Sequence, residues 1–285
     1  MSPYRPPEVS FESLAPLFEY DRSAPLELIT LRHEQREGVE ISEVRYANGT
    51  GGEAAALLVV PEGVAGGQLP GVVYAHGGSA AGKHVLLGEA VELGRRGIAV
   101  LLPDAVFPPF GEAVSDERAI VTAIIAKRRG LDVLVSVCHT TRLGYFGHSA
   151  GGTQGAILSA VEPRLDGIVI AGTGSGLTGW AMQQGLSDRG YLDALNRFDP
   201  VNFVHVAGRR RILLQHGRHD ESVTRGAAEA LYRAAAEPKF WTEYDCGHGV
   251  DGHAPAREDR FAFFEELGKR EQERAPSLVD RLRND

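Results

Sequence analysis

The chain has 285 residues, 43% hydrophobic and 24% charged, the make-up of an ordinary globular protein with enough length for one α/β domain and a full core. Its 35 glycines point to many tight turns, and its net charge of −8 removes the clustered positive potential that binding to nucleic acid requires, so no nucleic-acid partner is expected.

The first 36 residues are rich in proline and aromatics and carry no clear periodicity. They read as an extension that hugs the surface, in preference to an arm packing on the body or on a partner subunit. Next, "GVEISEVRYANGTGGEAAALLVVP" sets two strand-like runs around "NGTGG", a hairpin signal, and predicts an antiparallel edge on a sheet. From about residue 70 short apolar runs alternate with helical ones, the pattern of a parallel sheet covered by helices. The predicted strands are 71–76, 97–104, 142–148, 166–172, 210–217 and 239–245, each bounded by Gly, Pro or Asp. The predicted helices are 83–96, 114–129, 222–236 and 255–270. The run "LDVLVSVC" at 131–138 has strand-like composition, but a strand there leaves too little chain to cross back before residue 142, so it is placed in a helix continuing past Gly130. The domain therefore spans 37–270, followed by a charged tail over 271–285.

Ser149 sits in Gly147-His148-Ser149-Ala150-Gly151, a G-x-S-x-G string at the end of a predicted strand and the start of a helix. A serine held in so sharp a turn projects its hydroxyl outward, and side chains two residues away on either side would meet backbone, which the glycines avoid. The helix opening at Ala150 also aims unpaired N–H groups at the same point, and such groups stabilise a developing oxyanion. A serine hydroxyl is a weak nucleophile that needs a base and an acid to orient it. "LLQHGRHDESV" offers Asp220 at the end of one later strand, flanked by His219 and Glu221, and "TEYDCGHGVDGHAP" offers His248 at the end of the next, with His253 as rival. His248 is preferred because Gly247 and Gly249 give its loop freedom, whereas His253 lies just before a helix start. His148, His216 and His219 read as packing or surface residues, and Asp104 as a brace for a loop.

The backbone N–H of Ala150 is one candidate oxyanion donor; the other is Gly78 in "YAHGGSAAGK", with Gly77 as runner-up. A phosphate-binding reading of that glycine-rich stretch fails, because Lys83 is followed by His84 and not by a hydroxyl residue. Phe107 and Phe110 in "AVFPPFGE" are candidates for a pocket wall, as is Trp180 further on; Trp180, Met182 and Tyr191 equally suit the packing of one helix face.

Together "HGGSAAGK", "GYFGHSAGG", "LLQHGRHDESV" and "YDCGHGVDGHA" resemble, in order, the oxyanion, nucleophile, acid and histidine segments of the α/β-hydrolase superfamily, within it the dienelactone hydrolase and acetyl xylan esterase-like group. The resemblance covers about residues 37 to 270 and implies a mostly parallel sheet with helices on both faces, while the segment between the predicted strands 166–172 and 210–217 is too short for a large lid and suits a helix or two beside the pocket. It implies Ser149, Asp220 and His248 as a triad that needs no cofactor. A true dienelactone hydrolase carries a cysteine nucleophile, so the serine points to hydrolysis of small carboxylic esters through an acyl-enzyme. A serine peptidase or acyl-aminoacyl hydrolase is the nearest alternative, and a non-catalytic ligand-binding protein of the same fold is the alternative from another class.

Cys138 and Cys246 are too few for a disulfide framework and lack metal-ligand spacing, so free buried thiols in a reducing compartment, with no metal, are expected. No signal-peptide core and no apolar run of about 18 residues is present, so a cytoplasmic protein without membrane contact is expected. A small ester is the expected partner; association into a homo-oligomer stays open.

Overall fold

The computed structural model describes residues 4–63 and 69–269, and the expected tail over 271–285 lies outside them. A short helix α1 (Phe11–Leu14) leads into β1 (Ile29–Arg36), β2 (Val39–Ala47), β3 (Glu53–Pro61) and β4 (Pro70–Ala75). Helices and strands then alternate: α2 (Leu87–Arg95), β5 (Ala99–Pro103), α3 (Ala113–Cys138), β6 (Arg142–His148), α4 (Ala150–Val161) and β7 (Leu165–Ala171). Three helices follow, α5 (Leu177–Gln183), α6 (Arg189–Asn196) and α7 (Val201–Val204), before β8 (Arg211–Gly217), α8 (Arg225–Ala234), β9 (Lys239–Tyr244) and α9 (Ala254–Gly268).

Among the described residues nine strands form one sheet in the order β1-β2-β3-β5-β4-β6-β7-β8-β9. The first three are antiparallel and the rest parallel, joined where β3 runs against β5. Successive side chains of each central strand enter opposite layers. Val73, Ala75 and Tyr145 meet Ile124 and Leu134 of α3 and Ile157 of α4. Val72, Tyr74 and Phe146 meet Leu93 of α2 and Phe261 and Phe264 of α9.

The six predicted parallel-region strands and the hairpin are present, with ends shifted by one or two residues. The ambiguous run 131–138 is the last part of α3, as the crossover length requires. Gly130 lies inside that helix because a Cβ there would come within 2.7 Å of Leu101 and 3.1 Å of the Tyr46 hydroxyl; its absence lets α3 press onto the sheet.

Two expectations for the N-terminus need correction. Residues 29–36, placed in the extension, are the outermost strand β1, so the antiparallel edge expected of the hairpin is present but one strand wider, with the hairpin as β2 and β3. The part before it does not merely hug the surface, since Leu14 and Phe18 are fully buried and Phe18 packs edge-on against Phe198 and Phe203. Arginines of α3 hold this segment by its carbonyls, Arg128 on Phe18 at 2.6 Å and Arg129 on Ala24 and Pro25 at 3.0 and 2.8 Å.

Lys127 on the same helix is 2% exposed and has no ion-pair or hydrogen-bond partner among the described residues. Burial alone pushes its amine down to about 7 from an ordinary 10.5. Between those two values the unfolded chain holds a proton that the folded chain has shed, so this group makes stability rise with pH across that window. Below it both states are protonated and the full cost of burying the charge remains. Lys127→Met is therefore expected to stabilise the fold, on the order of a few kcal/mol near neutral pH, and to flatten the rise above it. Urea melts of both proteins from about pH 6 to pH 10 check this; an unchanged slope would refute it.

Candidate active site

The site lies at the carboxyl ends of the parallel strands. β6 ends at His148 and α4 begins at Ala150, so Ser149 alone makes the turn between them, with φ 54° and ψ −117°. That left-handed backbone is strained for a residue with a Cβ, by roughly 1–3 kcal/mol. Neighbouring strands hold it: the Ser149 N–H donates to the Ala171 carbonyl at 2.8 Å, and the Thr173 hydroxyl donates to the Ser149 carbonyl at 2.8 Å. The flanking glycines answer to close backbone approach. A Cβ on Gly147 would lie 2.1 Å from the Gly151 carbonyl oxygen, one on Gly151 2.4 Å from that of Ala75, and one on Gly152 2.0 Å from the Thr173 hydroxyl.

The structure brings Ser149, His248 and Asp220 into one hydrogen-bonded line. The Ser149 hydroxyl donates to His248 Nε2 at 3.0 Å, and His248 Nδ1–H donates to Asp220 Oδ2 at 2.9 Å. The Asp220 side chain is fully buried, and its other oxygen accepts the N–H groups of Ser222 and Val223, both at 2.8 Å, so its carboxylate is held in one orientation. His253 is not at this point; it stands ahead of α9 with its ring against Tyr244.

The loop glycines act differently from the reading made for them. Gly249 has φ −74°, and Gly247 is not among the residues of positive φ, so neither supplies a left-handed conformation. The steric demand falls on Gly217, where a Cβ would meet the Gly247 carbonyl oxygen at 2.1 Å: the loops after β8 and β9 touch backbone to backbone. His148 also sits under the His248 loop. Its Nε2–H donates to the His248 carbonyl at 2.7 Å, Asp251 lies 3.6 Å from its Nδ1, and burial holds its pKa below the ordinary range.

Ala150 opens α4, so its N–H has no acceptor within the helix. Gly78 and Ala150 both line the cavity beside Ser149. Gly77 instead presses against the serine, where a Cβ would lie 2.9 Å from that of Ser149. Asp104 braces Lys83, with Nζ to Oδ2 at 2.6 Å.

The cavity has a volume of 460 Å³, and Phe107, Phe110 and Trp180 all line it with Ser149 and His248. Met182 is exposed, and Tyr191 is buried with Leu192 and Leu195. Sequence reasoning missed what holds the rim. The Asp116 carboxylate, 2% exposed, accepts the N–H groups of Phe110 and Gly111 at 3.0 Å each and the Tyr191 hydroxyl at 2.8 Å. Burial and that carboxylate push the Tyr191 hydroxyl up to about 12. Phe110 has φ 58° and stands edge-on to Trp180, ring centroids 4.7 Å apart. The two cysteines are free; Cys138 is buried as expected, whereas Cys246 is partly exposed. Among the described residues no group of three or more His, Cys, Asp or Glu is arranged to hold a metal ion, and no helix is long and apolar enough to cross a membrane.

This sheet order, with a serine at the strand-to-helix turn and helices on both faces, is the α/β-hydrolase fold. Solved structures that share it include acetyl xylan esterase 1 of Thermoanaerobacterium sp. JW/SL YS485, with 14% identity over 93% of this chain and 96% of that one and a TM-score of 0.75. The acetyl xylan esterase of Paenibacillus sp. R4 has 19% identity over 92% and 96% of the two chains and a TM-score of 0.70. The esterase domain of a Rhodothermus marinus protein has 20% identity over 79% and 98%, with a TM-score of 0.60. No protein-family model and no curated protein sequence matches the chain.

Since no side-chain movement relieves a backbone contact of 2.1 Å, Gly147→Ala is expected to destabilise the protein by at least about 3 kcal/mol or to prevent folding. Gly78→Ala, with nothing within 4 Å of the added Cβ, is expected to leave the melting temperature nearly unchanged. Thermal melts of both variants check the pair; equal stabilities would refute it.

Proposed function

We propose that the chain is a carboxylic ester hydrolase working through an acyl-enzyme on Ser149. The observation that carries this reading is the Ser149–His248–Asp220 line, with hydrogen bonds of 3.0 and 2.9 Å, opening on a cavity. His248 Nε2 takes the hydroxyl proton as Ser149 Oγ attacks the ester carbonyl carbon. Asp220 keeps the imidazole in the tautomer with its proton on Nδ1 and stabilises the cation that forms. The carbonyl oxygen, now negative, receives the N–H groups of Ala150 and Gly78. Collapse of the tetrahedral adduct breaks the bond to the alcohol oxygen, which leaves with the proton from His248. Water, deprotonated by His248, then attacks the acyl carbon; the bond to Ser149 Oγ breaks, His248 returns the proton to Oγ, and the carboxylic acid leaves and ionises in solvent.

The solved structures of like fold bear the names of acetyl xylan esterases and esterases, which supports an ester in preference to an amide. A ligand-binding protein of the same fold would have no use for a buried carboxylate that orients a histidine whose other ring nitrogen meets a serine hydroxyl, and that arrangement favours catalysis.

Ser149→Ala is expected to lower hydrolysis of p-nitrophenyl butyrate by about 10⁴-fold or more, and Asp220→Asn by about 10⁴-fold, with folding unchanged by circular dichroism. A sulfonyl fluoride should modify the wild type at Ser149 and leave Ser149→Ala unlabelled by mass spectrometry. Retained turnover in Ser149→Ala would overturn the reading.

A further inference from the structure

The shape of the cavity carries the proposed reaction one step further, to the class of ester. A water-sized or methylene-sized group takes up about 30 Å³, so the 460 Å³ beside Ser149 has room for roughly fifteen such groups. An acetyl group fills a small part of that space. Much of the wall is apolar: Ile120, Ile157, Leu177, Leu195, Phe198 and Val223 line the cavity from α3, α4, α5, α6 and the loops beside them, with polar side chains such as Gln154 and Gln183 between them. Ile157, Leu195 and Phe198 are nearly inaccessible to solvent. At the rim stand Phe110 and Trp180, 36% and 37% exposed, which leaves aromatic surface open to water where the substrate enters.

That rim is a built feature. Asp116 spends three hydrogen bonds on it, two to the Phe110 and Gly111 N–H groups and one to Tyr191, and so fixes Phe110 in a left-handed conformation with its ring edge-on to Trp180. Exposed aromatic surface and an apolar wall behind it are unfavourable in water without an occupant. A chain that fills them converts their burial into transition-state binding, at about fourfold in kcat/KM for each methylene removed from water.

We propose, on the basis of the ester-hydrolase reading, that the substrate is an ester bearing a medium-length alkyl or arylalkyl group of about six to ten carbons, seated in this chamber and gripped at its entrance by Phe110 and Trp180. The acetyl group of a carbohydrate acetate would fill only a small part of the chamber.

The test uses the full chain in two stages. Labelling with a fluorophosphonate reports whether Ser149 is nucleophilic, which tests the underlying reading alone. Rates are then compared for p-nitrophenyl acetate, butyrate and octanoate, for ethyl acetate against octyl acetate, and for an acetylated xylo-oligosaccharide, all below micellar concentrations. The expected result is a kcat/KM for the long chain at least about 100-fold above that for the short one, on the acyl or the alcohol side. That ratio is expected to fall about tenfold in Trp180→Ala and in Phe110→Leu, both partly exposed positions where folding should survive. Labelled enzyme that turns over acetate as fast as octanoate and ethyl acetate as fast as octyl acetate, that prefers the xylo-oligosaccharide, that cleaves none of these esters, or whose long-chain preference is untouched in both variants, would overturn the inference while leaving the nucleophile intact. Absence of labelling would bring down the ester-hydrolase reading and this inference with it.

Discussion

Everything at the carboxyl edge of the sheet is built around the turn in which β6 becomes α4 across one residue. For that to happen the chain must pass so close to itself that any Cβ at Gly147, Gly151 or Gly152 would lie between 2.0 and 2.4 Å from another heavy atom. These contacts tie β6 to its neighbours on both sides, because Gly151 abuts the Ala75 carbonyl at the end of β4 while Gly152 abuts Thr173 just after β7. The register follows, with Ala75 opposite Gly147 and Ala171 opposite His148, so three strands end level. A slip of one residue would turn every buried side chain of β6 to the wrong layer, and both layers are filled. The strained Ser149 is thus over-determined from two directions, which is the condition under which such a conformation persists.

The second half of the site is positioned by contact between loops and owes little to loop freedom. Gly217 and the Gly247 carbonyl meet directly, which sets the distance between the loop carrying Asp220 and the loop carrying His248. From below, His148 holds the His248 carbonyl, and Arg260 reaches the Val250 and Asp251 carbonyls. Arg260 is fully buried and is neutralised by Glu89 of α2 in a two-pronged pair at 2.5 and 2.6 Å. Removing one partner of such a pair strands a buried charge and costs about 3–5 kcal/mol, so the segment after His248 is anchored to the layer of α2 and α9 as firmly as a core residue. The imidazole and its carboxylate are both held in this way, which leaves the hydrogen-bonded line preorganised.

Much of this was legible in the sequence because the informative signals are local. Central strands buried on both sides read as short apolar runs between turn residues, and 142–148 coincides with β6. The serine, acid and histidine stretches each sit at a strand end, where a few residues suffice to mark them. What escaped has no local signature. β1 is exposed along its whole length and carries Arg32, His33, Glu34 and Arg36, so it lacks the alternation that marks a half-buried strand. Leu14 and Phe18 look like scattered apolar residues until α3 and α7 are folded against them. The Asp116–Tyr191 hydrogen bond joins residues 75 apart, and Asp116 in a predicted first helical turn is ordinarily explained by the helix dipole. In the structure Glu112 caps that helix, and the Asp116 side chain is committed to the rim of the cavity.

This separation of local from distant signals has a counterpart in the architecture. The hydrogen-bonded line comes from turns at the ends of β6, β8 and β9, whose geometry the sheet dictates. The cavity is closed instead by the loop before α3 and by the helices α5 and α6 inserted between β7 and β8, none of which contributes to the sheet. Phe110 and Trp180 make no side-chain hydrogen bond to Ser149, His248 or Asp220, so this part of the cavity lining is separate from the hydrogen-bonded line. Asp116 couples the two inserted parts, since it bonds the loop on one side and α6 on the other. One carboxylate therefore holds the chamber's shape as a unit. For that reason the cavity wall is braced although it lies outside the sheet, and its shape is set by the inserted segments and not by the sheet.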